Sequence, residues 1–192
     1  MTDMDFKETI LKGAFVVEGK RCDDDRGFFV QDWSQREFAA AGLDARMVEC
    51  NRSFNRSKGT LRGMHYQIAP HEQAKLVRCL HGALYDVIID LRPDSPTFKQ
   101  WVGIELTGED TKALYVPPNF AHGFQTLLDN TEVPYHTSSY YQPSSERGVR
   151  WDDPTFNITW PQTESRIIIA RDRDYPDFEG QTRPSVVSPF QS

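Results

Sequence analysis

The stretch KLVRCLHGALYDVIIDLRPD, residues 75–94, indicates the fold of this chain. It contains two apolar runs, residues 75–80 and 83–91, which are separated by Gly82 and followed by Pro93. Short runs rich in Val, Leu and Ile that are bounded by glycine and proline are typical of β-strands ending in turns. The stretch therefore predicts two consecutive strands.

The same pattern continues on both sides of this stretch, with Gly, Pro, Asn or Asp between the runs. Further strands are predicted at FFVQDW (28–33), QWVGIEL (100–106) and FQTLL (124–128). Short strands at regular spacing favour an all-β sandwich or barrel. Several of the strands are rich in polar residues, so they can bury only one face, which leaves an open mouth for a ligand.

One helix is predicted between the first two groups of strands, from Ser34 to Ala41. Ser34 can cap its first turn, and Glu37 completes the S-x-x-E pattern of a capping box. Gly42 then supplies a C-terminal stop. Short helices of this kind are the only helical segments that we expect in an otherwise all-β chain.

The length of 192 residues suits one domain with a sizeable core, which we place at 1–180, with a polar tail at 181–192. The formal net charge is −6. Such a balance argues against a nucleic-acid binder, which usually carries a basic surface. It is compatible with a small phosphate-bearing ligand, because a few local arginines are enough to bind one.

The sequence also suggests a cytoplasmic protein without a membrane partner. No apolar run approaches the roughly 18 residues of a membrane span, and the first residues lack the basic-then-apolar order of a signal peptide. Cys22, Cys50 and Cys79 are odd in number and lack CxxC spacing. We therefore expect reduced thiols rather than a disulfide framework.

Residues able to carry acid–base chemistry occur in several separate segments. Taken singly, each has an ordinary structural role: a histidine in a strand is usually a hydrogen-bonded structural group, and a tyrosine usually packs. Together they indicate a β-barrel with a polar pocket. The candidates are Arg62 and His65 in GTLRGMHYQ, Lys75, His122 in FAHGF, Tyr135, Tyr140 and Tyr141 in EVPYHTSSYYQP, and Asp172 and Asp174 in RDRD.

A metal site is the main chemical alternative. The five histidines never form a close pair, and three or four converging ligands are needed to hold a metal. The conceivable set is His65, Glu72 and His122. We expect metal-free acid–base chemistry without a cofactor.

The motifs taken in series resemble the dTDP-4-dehydrorhamnose 3,5-epimerase family, from about Leu11 to Phe178. The resemblance implies a double-stranded β-helix, that is a cupin-type jelly-roll barrel, in a metal-free homodimer. It also implies that protons are removed from and returned to the carbons flanking a ketone of a nucleotide-linked sugar. The motifs are DRGFF (25–29), N-x-S (51–53), LRGMHYQ (61–67), KLVRC (75–79), DVIIDLR (86–92), SPTF (95–98), QWVG (100–103), FAHGF (120–124), ERGVRWDDP (146–154) and ITWP (158–161).

The same resemblance implies roles for four residues. His65 corresponds to the general base and Asp172 to its carboxylate partner, although Asp174 lies near enough in sequence to compete. Lys75 corresponds to the residue facing the enolate oxygen, and Tyr135 to the acid on the other face of the sugar. These residue types suit the chemistry, because an imidazole titrating near neutrality can remove a proton that a neighbouring ketone acidifies.

Substrate-binding positions follow from the resemblance as well. The chain departs from the family pattern at two of them, where an acid is replaced by the amide Gln31 and an amide by the acid Glu49. Either this exchange alters the nucleobase or sugar that is recognised, or both residues lie on a solvated rim. The substrate-binding positions are Arg26, Phe29, Gln31, Glu49, Asn51, Arg62, His122 and Tyr141.

Three other functions stay open. One is an enzyme of this type that inverts only C3 or only C5 of another nucleotide sugar. A 3,4-ketoisomerase also proceeds through an enolate in a cupin barrel, but the LRGMHYQ and FAHGF motifs argue against it. The chain could also be a sugar-nucleotide-binding cupin without catalytic activity.

Overall fold

A computed structural model describes residues 4–178. Within this range the chain forms thirteen strands, two short α-helices and one 3-10 turn at Pro143–Ser145. The helices are α1 (Gln35–Ala40) and α2 (Ala170–Arg173). The strands are β1 (Met4–Glu8), β2 (Phe15–Gly19), β3 (Cys22–Asp24), β4 (Gly27–Phe29), β5 (Glu49–Asn55), β6 (Leu61–Gln67), β7 (Lys75–Arg78), β8 (Ala83–Asp90), β9 (Trp101–Thr107), β10 (Lys112–Val116), β11 (Phe120–Thr126), β12 (Thr131–Thr137) and β13 (Glu146–Gly148).

Two antiparallel sheets make up the body of the molecule. The six-stranded sheet has the order β1-β2-β10-β7-β12-β5, and the five-stranded sheet has the order β13-β6-β11-β8-β9. Apolar side chains from both sheets form a shared buried cluster, in which Val77 and Leu114 of the first sheet join Leu84 and Ile88 of the second. The expected all-β jelly-roll barrel is confirmed.

Most predicted strands are observed with shifted ends, but the predicted strand at 28–33 is wrong beyond Phe29. Strands β3 and β4 pair only with each other, and Phe29 is 71% exposed. The backbone of residues 30–33 has no partner strand. The apolar side chains of this segment pack against the barrel: Val30 lies against Gly19, and Trp33 joins the cluster that contains Phe38. The prediction at 124–128 also began too late, because β11 starts at Phe120.

The predicted helix is present as α1, with Ser34 at its N-cap and Gly42 after its last turn. The Ser34 side chain accepts the backbone N–H of Glu37 at 3.4 Å, and Gly42 adopts a left-handed φ of 74°. The Glu37 carboxylate accepts the backbone N–H of Met4 at 3.1 Å. The helix is thereby attached to the outer edge of the six-stranded sheet.

A close approach of β6 and β11 depends on two glycines. A Cβ placed on Gly63 would lie 2.5 Å from the Cα of Gly123, and Gly63 also has a φ of 121°. Only glycine fits such a position without displacement of the neighbouring backbone. This contact sets His65 directly opposite His122 in the strand register.

Neither helix within residues 4–178 has the length and apolar character to cross a membrane. The polar tail predicted at 181–192 lies outside the described residues.

Candidate active site

A cavity of about 600 Å³ lies between the two sheets. Its walls come from β5, β7 and β12 on one side and from β6 and β11 on the other, with α2 at the rim. Nine of the residues nominated from sequence line it: Glu49, Asn51, Arg62, His65, Lys75, His122, Tyr135, Tyr141 and Asp172.

His65 and Asp172 form a hydrogen-bonded pair in this cavity, with 2.9 Å between His65 Nε2 and Asp172 Oδ1. The Asp172 side chain is only 2% exposed, and its Oδ2 accepts the backbone N–H of Gly63 at 3.0 Å. Burial alone would raise the pKa of Asp172, but the hydrogen bonds from His65 and Gly63 and the charge of His65 keep that pKa below its ordinary value. Asp172 is therefore a carboxylate fixed behind the ring.

The competing residue, Asp174, is placed elsewhere. Its carboxylate accepts from Arg173 Nε at 2.8 Å in an exposed ion pair, and it does not line the cavity. Of the two aspartates in RDRD, the one in contact with the imidazole is Asp172.

The orientation of the His65 ring leaves one nitrogen for a ligand. Nε2 faces Asp172, whereas Nδ1 makes no hydrogen bond to any residue between 4 and 178. When Nε2 carries the ring proton and forms its hydrogen bond to Asp172 through it, Nδ1 holds a free lone pair. Nδ1 is then the basic atom of the pair.

Lys75 is a buried cation on β7, across the cavity from β6. Its Nζ donates to the backbone carbonyl of His65 at 3.3 Å. Burial lowers the pKa of Lys75 to about 8, and the negative charges of Asp86 and Glu146 oppose this shift. The ammonium is consequently protonated near neutral pH but easily neutralised above it.

Tyr135 projects into the cavity from β12, in the sheet opposite His65. Burial raises the pKa of its phenol; the positive charge of Arg62 opposes the shift and the negative charge of Glu49 adds to it. A raised pKa keeps the phenol protonated at neutral pH, so that it has a proton to give.

His122 is bound to a second buried carboxylate. Its Nε2 lies 2.7 Å from Asp86 Oδ1, and Asp86 is fully buried. Burial lowers the pKa of His122 more than the neighbouring Asp86 raises it. The ring is therefore neutral at neutral pH, and it both lines the cavity and ties β11 to β8.

The remaining polar residues of the wall are held by local hydrogen bonds. Arg62 Nε donates to Asn55 Oδ1 at 2.7 Å, and Asn51 lies opposite Tyr135 in the pairing of β5 with β12. Glu49 Oε2 accepts the backbone N–H of Tyr141 at 3.3 Å. Charged and amide groups thus surround the cavity mouth, where a polar ligand would enter.

Three of the predicted substrate-binding residues do not line this cavity within the single chain. Arg26 and Phe29 lie on the exposed β3–β4 hairpin, and Gln31 follows it. Arg26 forms an ion pair with the neighbouring Asp24. Because Gln31 is outside the cavity and Glu49 inside it, the two substituted positions do not meet in one subunit.

Three charged groups of the site were missed from sequence: Glu146 and Arg171, which line the cavity, and Asp86, which bonds the cavity residue His122. Asp86 could have been found, because a charged residue inside the apolar run ALYDVIIDL needs a buried partner. Glu146 and Arg171 gave no such signal. Both are ordinary surface residue types, and their position depends on how β13 and α2 meet the barrel.

Among residues 4–178, no group of three or more His, Cys, Asp or Glu side chains is arranged to hold a metal ion. Glu72, the third member of the conceivable metal set, does not line the cavity. Metal-free chemistry stays a prediction.

Comparisons with known proteins agree with this geometry. The family model described as dTDP-4-dehydrorhamnose 3,5-epimerase matches residues 8–180. The dTDP-4-dehydrorhamnose 3,5-epimerase of Shigella flexneri is 42% identical over 159 residues, which cover 82% of this chain and 87% of that protein.

Solved structures give the same result. The dTDP-4-dehydrorhamnose 3,5-epimerase of Elizabethkingia anophelis superposes with a TM-score of 0.90 at 36% identity, covering 94% of this chain and 99% of that one. The enzyme of the same name from Bacillus anthracis, solved with TDP and PPi bound, gives 0.87 at 41% identity, covering 91% and 99%. The chain belongs to the dTDP-4-dehydrorhamnose 3,5-epimerase family of isomerases.

Proposed function

We propose that the protein inverts C3 and C5 of dTDP-4-dehydro-6-deoxyglucose by acid–base chemistry through an enolate. The observation that carries the proposal is the His65–Asp172 pair, because it presents a free imidazole nitrogen to a cavity of suitable size. Family membership supplies the substrate class, since the matched relatives are named for this reaction.

In the proposed first step, His65 Nδ1 removes the proton from C5 or C3. The electron pair of the broken C–H bond moves into the ring, and negative charge develops on O4 of the ketone. Asp172 stabilises the imidazolium that forms, much as a carboxylate does in a catalytic triad. The Lys75 ammonium stabilises the developing enolate, a charge absent in the ground state, and so lowers the barrier.

In the second step, Tyr135 donates its phenolic proton to the same carbon from the opposite face, which inverts the centre. The enolate electron pair forms the new C–H bond and restores the ketone. The enzyme is left with an imidazolium and a tyrosinate, which return to their starting states by exchanging protons with solvent. A solvent-derived hydrogen therefore ends on each inverted carbon.

Incubation of the protein with dTDP-4-dehydro-6-deoxyglucose in D₂O, followed by NMR, tests this function. We expect deuterium and inversion at both C3 and C5. Inversion at one carbon would identify a single-site epimerase, and a shifted ketone would identify a ketoisomerase. Substrates carrying CDP, UDP or GDP test whether Gln31 and Glu49 alter nucleotide choice; no exchange with any of them would leave only a binding function.

Replacing Lys75 by Met is expected to lower kcat by about 10²–10³-fold, the usual cost of losing one oxyanion donor. Because Lys75 has a pKa of about 8, we also expect kcat/KM to fall as pH rises through this value and neutralises the cation. In Lys75→Arg this alkaline limb should move to higher pH, since a guanidinium stays charged. Lys20→Met, which removes an exposed charge, should leave kcat and the pH dependence of kcat/KM unchanged. If kcat/KM of Lys75→Arg fell at the same alkaline pH as that of the unmodified protein, Lys75 would not be the cation that stabilises the enolate.

We also propose that the protein is a homodimer in which the β3–β4 hairpin of each subunit completes the nucleotide site of the other. The hairpin supports this arrangement because Phe28 and Phe29 are exposed on it beside Arg26. Light scattering tests the oligomeric state. Arg26→Ala should raise KM for the dTDP-sugar if the hairpin contacts the nucleotide, while leaving the dimer intact.

We propose that the protein is located in the cytoplasm. Nucleotide sugars are water-soluble intermediates, and the three cysteines are free thiols in the structure. Cell fractionation checks the location.

A further inference from the structure

Arg171, which the chemistry above does not use, reaches the same ring nitrogen of His65 as Asp172. Its Nη2 lies 3.2 Å from His65 Nε2, and its Nε donates to Asp172 Oδ1 at 3.1 Å. One imidazole nitrogen therefore faces a carboxylate oxygen and a guanidinium N–H at the same time.

These two contacts demand opposite states of the ring. A guanidinium has donors only, so Arg171 can bond Nε2 only when that nitrogen carries a lone pair. Asp172 can bond Nε2 only when the nitrogen carries a proton. The first arrangement places the proton on Nδ1 and blocks it as a base, whereas the second leaves Nδ1 free.

Glu146 is a second partner of Arg171 in the same arrangement. Arg171 Nη1 lies 3.2 Å from Glu146 Oε2, and the Arg171 side chain is 48% exposed, so the guanidinium has room to move. The Tyr141 hydroxyl donates to the same Glu146 oxygen at 2.8 Å, which fixes the carboxylate at the cavity rim. Arg171 can thus release the imidazole and keep its ion pair with Glu146.

Charges of both signs surround His65. Asp172 and Glu146 favour an imidazolium, whereas Arg171 and Lys75 oppose it. His122 is neutral, and the Tyr175 ring contributes an edge-on contact at 6.3 Å between centroids. The groups that face His65 are Arg171 and Asp172 on α2, Tyr175 after it, Lys75 on β7, His122 on β11 and Glu146 on β13.

We propose that Arg171 is a positioning residue that opposes protonation of His65 in the resting enzyme and releases the ring, while it keeps its ion pair with Glu146, when the ring accepts a proton. The proposal deepens the epimerase function proposed above and rests on it. Without Arg171, the carboxylate behind the ring would hold a larger share of His65 as imidazolium, which cannot act as a base. The charge of the arginine therefore keeps the ring neutral at neutral pH, and Nδ1 becomes the base once Arg171 releases Nε2 and that nitrogen carries the proton.

The test compares Arg171→Met with Arg173→Met in the full-length protein. Both variants remove one positive charge from α2, but Arg173 pairs with Asp174 and does not contact His65. NMR of the ¹⁵N-labelled imidazoles reports the protonation state and tautomer of His65 directly, and the His65→Asn spectrum assigns its signals. The pH dependence of kcat/KM gives the second readout.

In Arg171→Met we expect the titration of His65 and the acid limb of kcat/KM to move up together by about half a pH unit. A charge in contact can shift such a midpoint by about one unit or more, and partial exposure reduces the effect. Arg173→Met should leave the midpoint of the His65 titration in place. Arg171→Lys, which keeps a positive charge, should show a smaller upward shift than Arg171→Met. Glu146→Gln should move the midpoint down, because it frees the guanidinium to act on the ring.

Equal midpoints in Arg171→Met and Arg173→Met, or a downward shift in Arg171→Met, would overturn the proposal. The NMR titration needs no substrate. A shifted titration in a protein that exchanges no deuterium into any sugar would therefore support the role of Arg171 while removing the epimerase function.

Discussion

The variant His65→Asn is expected to lose epimerase activity by about 10²–10⁴-fold in kcat, the usual contribution of a general base. Asparagine keeps a polar side chain of similar size on β6 and can still bond the neighbouring Asp172. It has no nitrogen that accepts a proton near neutral pH. The loss should therefore lie in kcat, and deuterium uptake from D₂O should fall at C3 and C5 alike.

A matched control for this variant is His81→Asn. His81 is exposed and contacts the backbone carbonyl of Asn130 instead of the cavity. We expect it to retain full activity. A His65→Asn protein that still exchanged deuterium at either carbon would show that another group removes the proton from that carbon.

The variant Tyr135→Phe should separate proton removal from inversion. The phenylalanine preserves the ring that packs against the apolar cluster containing Val77 and Val133. It removes the proton that must be delivered to the opposite face, so epimerisation should fall by about 10²–10⁴-fold. Deuterium can still return from the side of His65, so we expect slow exchange with retention of configuration.

Tyr140→Phe provides the control, because Tyr140 is 67% exposed and does not line the cavity. Its activity should be unchanged. If Tyr135→Phe inverted its substrate at the rate of the unmodified enzyme, the acid would have to be a different group or a water molecule.

The strands could be predicted from sequence where they are buried, because a largely apolar run such as residues 83–91 has few other structures available to it. The helix α1 could be predicted from its Ser34 cap and its terminal Gly42. The segment 28–33 misled because it has the composition of a strand but no neighbour with which to pair. Strand pairing depends on the whole sheet, and local composition does not report it.

The site could be predicted only where family resemblance supplied the pairing. His65 and Asp172 are 107 positions apart in the sequence, and nothing in their local patterns brings them together. Asp86 carried a physical signal of its own, as a charge inside an apolar strand. Arg171 did not, since its contact with His65 depends on how α2 packs against β6.

The central claim is that His65 Nδ1 faces the carbon that loses its proton. A crystal structure of the protein with dTDP-rhamnose tests it most directly, because that sugar has a hydroxyl at C4 and cannot react. We expect His65 Nδ1 within about 3.5 Å of C3 or C5 of the sugar, the separation of a reactive contact. The Tyr135 hydroxyl should lie on the opposite face of the sugar ring. A sugar bound with Nδ1 turned away from both carbons, or with both side chains on one face, would contradict the account.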